Sequence, residues 1–451
     1  MNTQRYSAYK DSGIAWLGEI PAHWRIRRLK NISQLEVSNV DKKSKEDEIG
    51  IQLCNYVDVY YQETISSNME FMSATAAQHQ ADRFKLRQND VLITKDSETP
   101  DDIAISALVT EDMDSVLCGY HLAQIRPNFG EVTGGFLHRA FAAHPIQCQF
   151  HIAANGVTRY GLSKHDINSS QFPIPPELEQ QAIAAWLDEQ TGKLDRVIAN
   201  KREQIKQLET LRKVTIHDAV TKGLNPDAPM KDSGIPWLGE IPAHWEVRRL
   251  SQIADLLQTG PFGSQLHSEE YVEGGIPVIN PSHLIGGKLV PDSAVTVDSD
   301  THFRLQRHAL LEGDIVFARR GEMGRCGLVT VSEAGWLCGT GSLLYRPLRS
   351  RVFSKYMAQV LASRGIKETL ELESVGSTMD NLNTEILGAL KVPLPPVDEQ
   401  VLIHKEVEKR LTALQKLEIN VTEQIKQLET LRKVTIQDAV TGKIRVPGVE
   451  V

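Results

Sequence analysis

The chain has 451 residues, 41% hydrophobic and 24% charged, enough for about three ordinary globular domains. A net charge of −8 excludes a generic polycation, and five cysteines without C-x-x-C spacing give no disulfide framework. There is no run of about 18 apolar residues and no signal-peptide stretch, so the expectation is a cytoplasmic protein with reduced thiols and no membrane contact.

In chain order, the first element is an entry segment over residues 1–25. Its core, Lys10-Asp-Ser-Gly-Ile-Ala-Trp-Leu-Gly-Glu-Ile-Pro-Ala-His-Trp24, returns at Lys231–Trp245 with proline replacing one alanine. Residues 26–175 follow as a mixed α/β domain in which Asp90-Val-Leu-Ile-Thr94 reads as a buried strand after a turn. Pro173-Ile-Pro-Pro-Glu-Leu-Glu-Gln180 then opens a long helix, because proline fits a first helical turn but not an interior. That helix covers 176–222 and ends at Gly223. The repeated entry segment fills 223–246. A second mixed domain spans 247–395, with Asp314-Ile-Val-Phe-Ala318 as its buried strand. Pro393-Leu-Pro-Pro-Val-Asp-Glu-Gln400 opens a second helix over 396–442, and residues 443–451 form a tail. Each helix runs about 44 residues, roughly 65 Å.

Within the helices the repetition is almost literal. Residues 203–221 and 423–441 differ only in His217 against Gln437. Heptad positions Val407, Leu414, Val421, Leu428 and Thr435, with Leu411, Glu418, Ile425, Arg432 and Ala439, mark a coiled-coil seam. Antiparallel pairing symmetric about the helix midpoints places Lys201 opposite Glu418, a polar pair fixing register. The alternative is that both stems lie in solvent and never meet. Because the entry segment at 231–245 follows one helix, its twin at 10–24 is expected beside the end of the other. The fold class expected is α+β: two mixed α/β domains, two long antiparallel coiled-coil helices and a pseudo-two-fold circular arrangement.

These ordered features, present twice, resemble the specificity subunit of type I restriction-modification systems. The resemblance spans essentially the whole chain and includes Gly260-Pro-Phe-Gly-Ser-Gln265 and Gly313-Asp-Ile315. It departs at Asn89-Asp-Val91, where the first domain lacks that glycine. The resemblance implies a non-catalytic reader of double-stranded DNA with two target-recognition domains, holding two modification subunits that restriction subunits join. It implies no cofactor in this chain, S-adenosylmethionine on the modification subunits, and ATP with Mg on the restriction subunits. Half-sites about one DNA turn apart would present on one face.

The residues themselves offer no catalytic machinery: no phosphate loop, no Asn/Asp-Pro-Pro-Tyr/Phe segment, and no metal-ligand spacing. Candidate DNA contacts in the second domain are Arg319, Arg320 and Arg325, since arginine forks onto guanine N7 and O6, with Glu322 accepting from cytosine N4. Phe262, Ser264, Gln265 and Asn280 join them. In the first domain they are Lys95, Ser97 and Thr99, with Thr158, Arg159 and Tyr160 in a loop matching Thr378. The competing reading makes these arginines solvated loop charges, and Asp101-Asp102 weakens the first patch. Exposed positions that repeat unchanged, Glu203, Lys206, Gln207 and Thr210 with Glu423, Lys426, Gln427 and Thr430, fit an identical partner bound twice. Both variable regions, 1–175 and 226–395, carry four more acidic than basic side chains. That keeps open a different class: a coiled-coil adaptor for protein partners with no nucleic-acid role.

Overall fold

In a computed structural model that describes residues 4–374 and 382–449, the long helices run Glu177–Lys222 and Val397–Val440. Each begins directly after the Pro-Pro pair. The residues that follow them, Gly223 and the nearby Gly442, adopt φ +73°, the left-handed conformation that ends a helix. Contacts divide the chain into two compact units, Met1–Arg202 with Glu423–Val451, and Glu203–Thr422. Each unit therefore owns one mixed α/β domain, one entry segment and one end of each long helix.

In the first unit the indole of Trp24 is fully buried. Its N–H donates to Glu179 Oε1 at 3.0 Å, while the neighbouring His23 imidazole meets Glu179 Oε2 at 2.8 Å and Tyr6 donates its hydroxyl at 2.6 Å. Glu179 lies in the first turn of the first helix, where the helix dipole favours negative charge. The far edge of the indole lies against Gly442, beyond the end of the second helix, where an added Cβ would sit 3.3 Å from the ring and 2.3 Å from Pro21. Tyr9 donates its hydroxyl to the Gly442 carbonyl at 3.1 Å, and Gln4 bridges Arg445. The entry segment thus joins the start of one helix to the end of the other. The second unit repeats the device. Trp245 donates to Glu399 Oε1 at 3.1 Å, His244 meets Oε2 at 2.8 Å, and Gly223 lies under the ring.

The residue after each of these glutamates has its own task. Gln180 donates to the Pro175 and Glu131 carbonyls and accepts from the Thr133 N–H. Gln400 does the same with Pro395, Arg351 and Phe353. In the Pro-x-Pro-Pro-x-x-Glu-Gln lead, glutamate therefore grips the entry segment and glutamine grips the recognition domain.

Each domain contains a largest sheet that carries its expected buried strand, beside smaller sheets. In the first, strands run in the spatial order Ser33–Val37, Leu122–Pro127, Val91–Thr94, Ser106–Val109, Thr64–Ile65. In the second the order is Ala254–Thr259, Ser342–Pro347, Ile315–Ala318, Cys326–Leu328. Both expected central strands are buried along their whole length. The aspartate before each is a buried structural anchor. Asp90 receives a two-pronged bond from Arg126 (2.8 and 2.7 Å), and Asp314 receives one from Arg346 at the same distances. Asn89 has φ +72° where Gly313 has +88°. Asparagine tolerates that conformation better than other side chains, so the departure from glycine keeps the turn.

In the first unit the helix ends run antiparallel, with Arg202 paired to Glu429 and Arg432 to Asp195, both at 2.8 Å. That register contradicts the expected pairing of Lys201 with Glu418. Glu418 lies eleven residues before Glu429 (429 − 418), about 16 Å along the helix from the partner of the adjacent Arg202. The midpoint argument fails because clamps at the helix ends, and ion pairs beside them, set the register. Heptad positions Leu187, Thr191, Leu194 and Ile198 are buried here, as are Thr435 and Ala439.

Charge ties this domain to both helices. Arg139 pairs with Asp188 (2.7 Å) and Glu63 (2.8 Å), and Glu63 also meets Arg432. Burial alone would raise the Glu63 carboxyl pKa, but the two arginines outweigh it and hold it below the usual range. The second unit has Gln359 bonded to Glu408 at 3.2 Å in the corresponding place, and its Arg212 is exposed.

Glu179 is almost fully buried and accepts from three groups, whereas Glu399 accepts from two and is a quarter exposed. Glu179→Ala should therefore cost about 3 kcal/mol and Glu399→Ala about 1 kcal/mol, since buried donors left unpaired are expensive. Urea midpoints of the two variants check the order; equal losses would contradict it.

Candidate nucleic-acid interface

The second-domain candidates converge on one tight turn, Cys338-Gly-Thr-Gly341. Gly339 donates its N–H to Ile279 O at 2.9 Å, and a Cβ on Gly339 would lie 2.2 Å from the Asn280 side-chain oxygen. A Cβ on Gly260 would lie 1.9 Å from Gly339 O, so only glycine lets the Gly260–Gln265 loop start there. Arg319 donates its main-chain N–H to Gly341 O at 3.0 Å. Three segments distant in sequence, ending at Gly260, Asn280 and Arg319, thus meet on a single glycine-rich turn.

The first domain has the same hub with other side chains. Gly119 bonds Cys54 O at 2.9 Å, and a Cβ there would meet that oxygen at 2.6 Å. Lys95 donates its main-chain N–H to His121 O at 3.1 Å, as Arg319 does to Gly341. By this register Lys95 stands for Arg319, Asn55 for Asn280, and Ser38 for Gly260. Ser38 fills the place of the missing glycine and donates its hydroxyl to Cys118 O.

Side chains on the two hubs are differently committed. Phe262, Ser264 and Arg320 are exposed. Gln265 turns back, its side-chain oxygen accepting from the Phe262 N–H at 3.1 Å. Arg319 is half-buried and donates through Nε to Leu382 O at 3.1 Å. Glu322 bonds Lys367 at 2.8 Å, and that hydrogen bond and charge hold its carboxyl below the usual range. Arg325 closes the intervening turn through its main-chain N–H to Glu322 O at 3.4 Å. Thr378 lies outside the described residues.

In the first domain Lys95 is largely buried, paired with Asp96 at 2.6 Å and set over the Tyr120 ring at 5.1 Å. Its charge is met within the protein by Asp96. Ser97 is buried as well. It pairs in a short ladder with Tyr160, which brings the Asn155–Gly161 hairpin beside the Lys95–Thr99 loop. Thr99, Thr158 and Arg159 are exposed on these two segments, and Arg159 enters no ion pair among the described residues. The sequence reading missed the helix Tyr56–Tyr61, which leaves the hub directly after Asn55. The available signal was the Cys-Gly pair repeated at 118 and 338, which fixes where the equivalent segments begin.

The repeated helix surface is the other candidate. Glu203, Lys206, Gln207 and Thr210 are exposed in the second unit and line one groove with Leu211 and Val214. Glu423, Lys426, Gln427 and Thr430 are exposed in the first unit. Leu211 and Val214 are 49% and 46% exposed, and their twins Leu431 and Val434 are 43% and 44%. Both copies thus keep the same apolar pair in water, beside a threonine bonded back to the carbonyl four residues earlier at 2.9 Å.

Among the described residues no three His, Cys, Asp or Glu side chains form a metal site, and no helix is long and apolar enough to cross a membrane. The model for the type I restriction modification DNA specificity domain matches residues 21–210 and 242–430. A Methanocaldococcus jannaschii chain, provisionally named the type I restriction enzyme MjaX specificity subunit, is 23% identical over 434 residues, 95% of this chain and 96% of its own. In fold, the chain is similar to one from a structure of type I R-M complex assembly and conformational transition (TM-score 0.67, 18% identity, 93% of this chain and 98% of that one). It is also similar to the HsdS subunit from Thermoanaerobacter tengcongensis (TM-score 0.55, 19% identity, 94% and 98%). The chain belongs to the type I restriction-modification DNA specificity family, as a non-catalytic specificity subunit.

Proposed function

We propose that the chain reads a two-part duplex target, one half-site per recognition domain, with an unread spacer set by the paired helices. The observation that carries this reading is the hub built twice on one backbone plan with different side chains. Phe262 and Ser264 follow Gly260 and Arg320 follows Arg319 at one turn, while Tyr56 follows Asn55 at the other and Arg159 lies on the hairpin paired with the segment that Lys95 opens. Two modest readers on one frame gain affinity through effective concentration when the spacing fits. The repeated helix face, with its exposed Leu-Val pair, is then the docking surface for two modification subunits that bring S-adenosylmethionine; restriction subunits using ATP and Mg would join that complex. The adaptor reading loses its support with the family assignment.

Methylome sequencing of cells carrying this chain with its matching modification subunit is the direct test. Adenine methylation at one two-part motif is expected. Exchanging residues 26–172 for another reader should change one half-site alone. No new mark despite a formed complex, or a change in both halves, would contradict the proposal.

Arg159→Ala should lower the salt dependence of duplex binding by about one counterion, whereas Lys95→Ala should leave the slope nearly unchanged because Asp96 already neutralises it. Affinity titrated against salt concentration reads this out, and equal slopes for the two variants would count against the placement.

A further inference from the structure

We propose that Asp102, held by Tyr60, reads an exocyclic base amino group, cytosine N4 or adenine N6, in the half-site of the first domain. The inference rests on the two-part reading above and names one residue that performs it. Asn55 occupies the hub position of Asn280, so the helix Tyr56–Tyr61 rises at the edge where the second domain carries its candidate contacts.

On that helix Tyr56 and Tyr60 stack at 5.4 Å, and Tyr61 meets Tyr60 edge-on at 4.9 Å. The Tyr60 hydroxyl donates to Asp102 Oδ2 at 2.7 Å. This bond pushes the phenol pKa up to about 12, burial adding to it, so the hydroxyl stays a donor to Asp102. The loop behind Asp102 is pinned. Ile103 and Ala104 are fully buried, Ala104 has φ +60°, and its N–H reaches Thr94 O at 2.9 Å. Asp102 remains partly exposed, and its second oxygen accepts no hydrogen bond among the described residues.

A fixed carboxylate beside a DNA-reading hairpin cannot face a phosphate, because the charges repel. It can only accept, and the major-groove donors on DNA bases are the amino groups of cytosine and adenine. The exposed Arg159 on the adjoining hairpin supplies the cation that a neighbouring phosphate requires. The acidic pair that seemed to weaken the patch thus becomes its most specific element.

The test is methylome sequencing of the full complex with wild type, Asp102→Asn and Tyr60→Phe, beside urea unfolding of each purified chain. Asp102→Asn turns an acceptor into a mixed donor and acceptor. It should relax one base pair of one half-site, with discrimination there falling about ten- to a hundredfold. The other half-site and the unfolding midpoint should hold. Tyr60→Phe should keep the same base and lose a smaller part of the discrimination. An unchanged motif in Asp102→Asn overturns the inference, as does loss of all marking with a lowered midpoint in both variants, the signature of a mere strut. If wild type itself places no two-part mark, the underlying reading fails first.

Discussion

One hydrogen bond, indole N–H to glutamate, organises each unit, buried in the first and part-buried in the second. Trp24 with Glu179 and Trp245 with Glu399 each connect three pieces of chain: an entry segment, the first turn of one helix and the glycine that ends the other. A buried carboxylate is costly unless satisfied, and here the dipole at the helix start and two or three donors satisfy it. Truncating such an indole to alanine typically costs about 3–5 kcal/mol, a large share of a domain's stability. Glycine is required at 223 and 442 for two reasons at once: a left-handed backbone and room for the ring.

Above that frame the recognition domains separate scaffold from content. The Asp-Arg fork, the Cys-Gly turn and the glutamine grip recur with nearly the same distances in both units. The side chains around the turn do not. In the proposed function this division suits DNA reading, because base contacts specify while the frame only positions. The units also differ at one corresponding place between domain and helix: a network of arginines and acids around Glu63 and Arg139 in one, an amide–carboxylate bond from Gln359 to Glu408 in the other.

Much of this was legible in the sequence because the signals are local. Proline before the helices, glycine after them and the repeated Trp segment act within a few residues, so the places where the long helices start and stop could be read directly. Helix register was not legible. The seam contains Thr, Lys, Glu and Arg, so the heptad fixes a face but not an offset, and Arg432 proved to be an ion-pair residue rather than an apolar knob. The interior role of Lys95 was hidden because its partners, Asp96 and Tyr120, are brought together only by strand pairing. The helix Tyr56–Tyr61 carried no signal of its own in the sequence, and only the comparison of the two glycine turns places it directly after Asn55, the counterpart of Asn280. Asn89, by contrast, was a visible departure whose cause is purely conformational.

In the proposed function each glycine hub contacts the half-site of its own domain alone. Gly260→Ala puts a Cβ 1.9 Å from Gly339 O and must displace the exposed loop that follows. Hydroxyl-radical footprinting of the assembled complex on its duplex target measures the consequence. Wild type should protect two separated tracts, and the variant should lose one while the other persists unchanged. Loss of both tracts together, or of neither, would contradict the account.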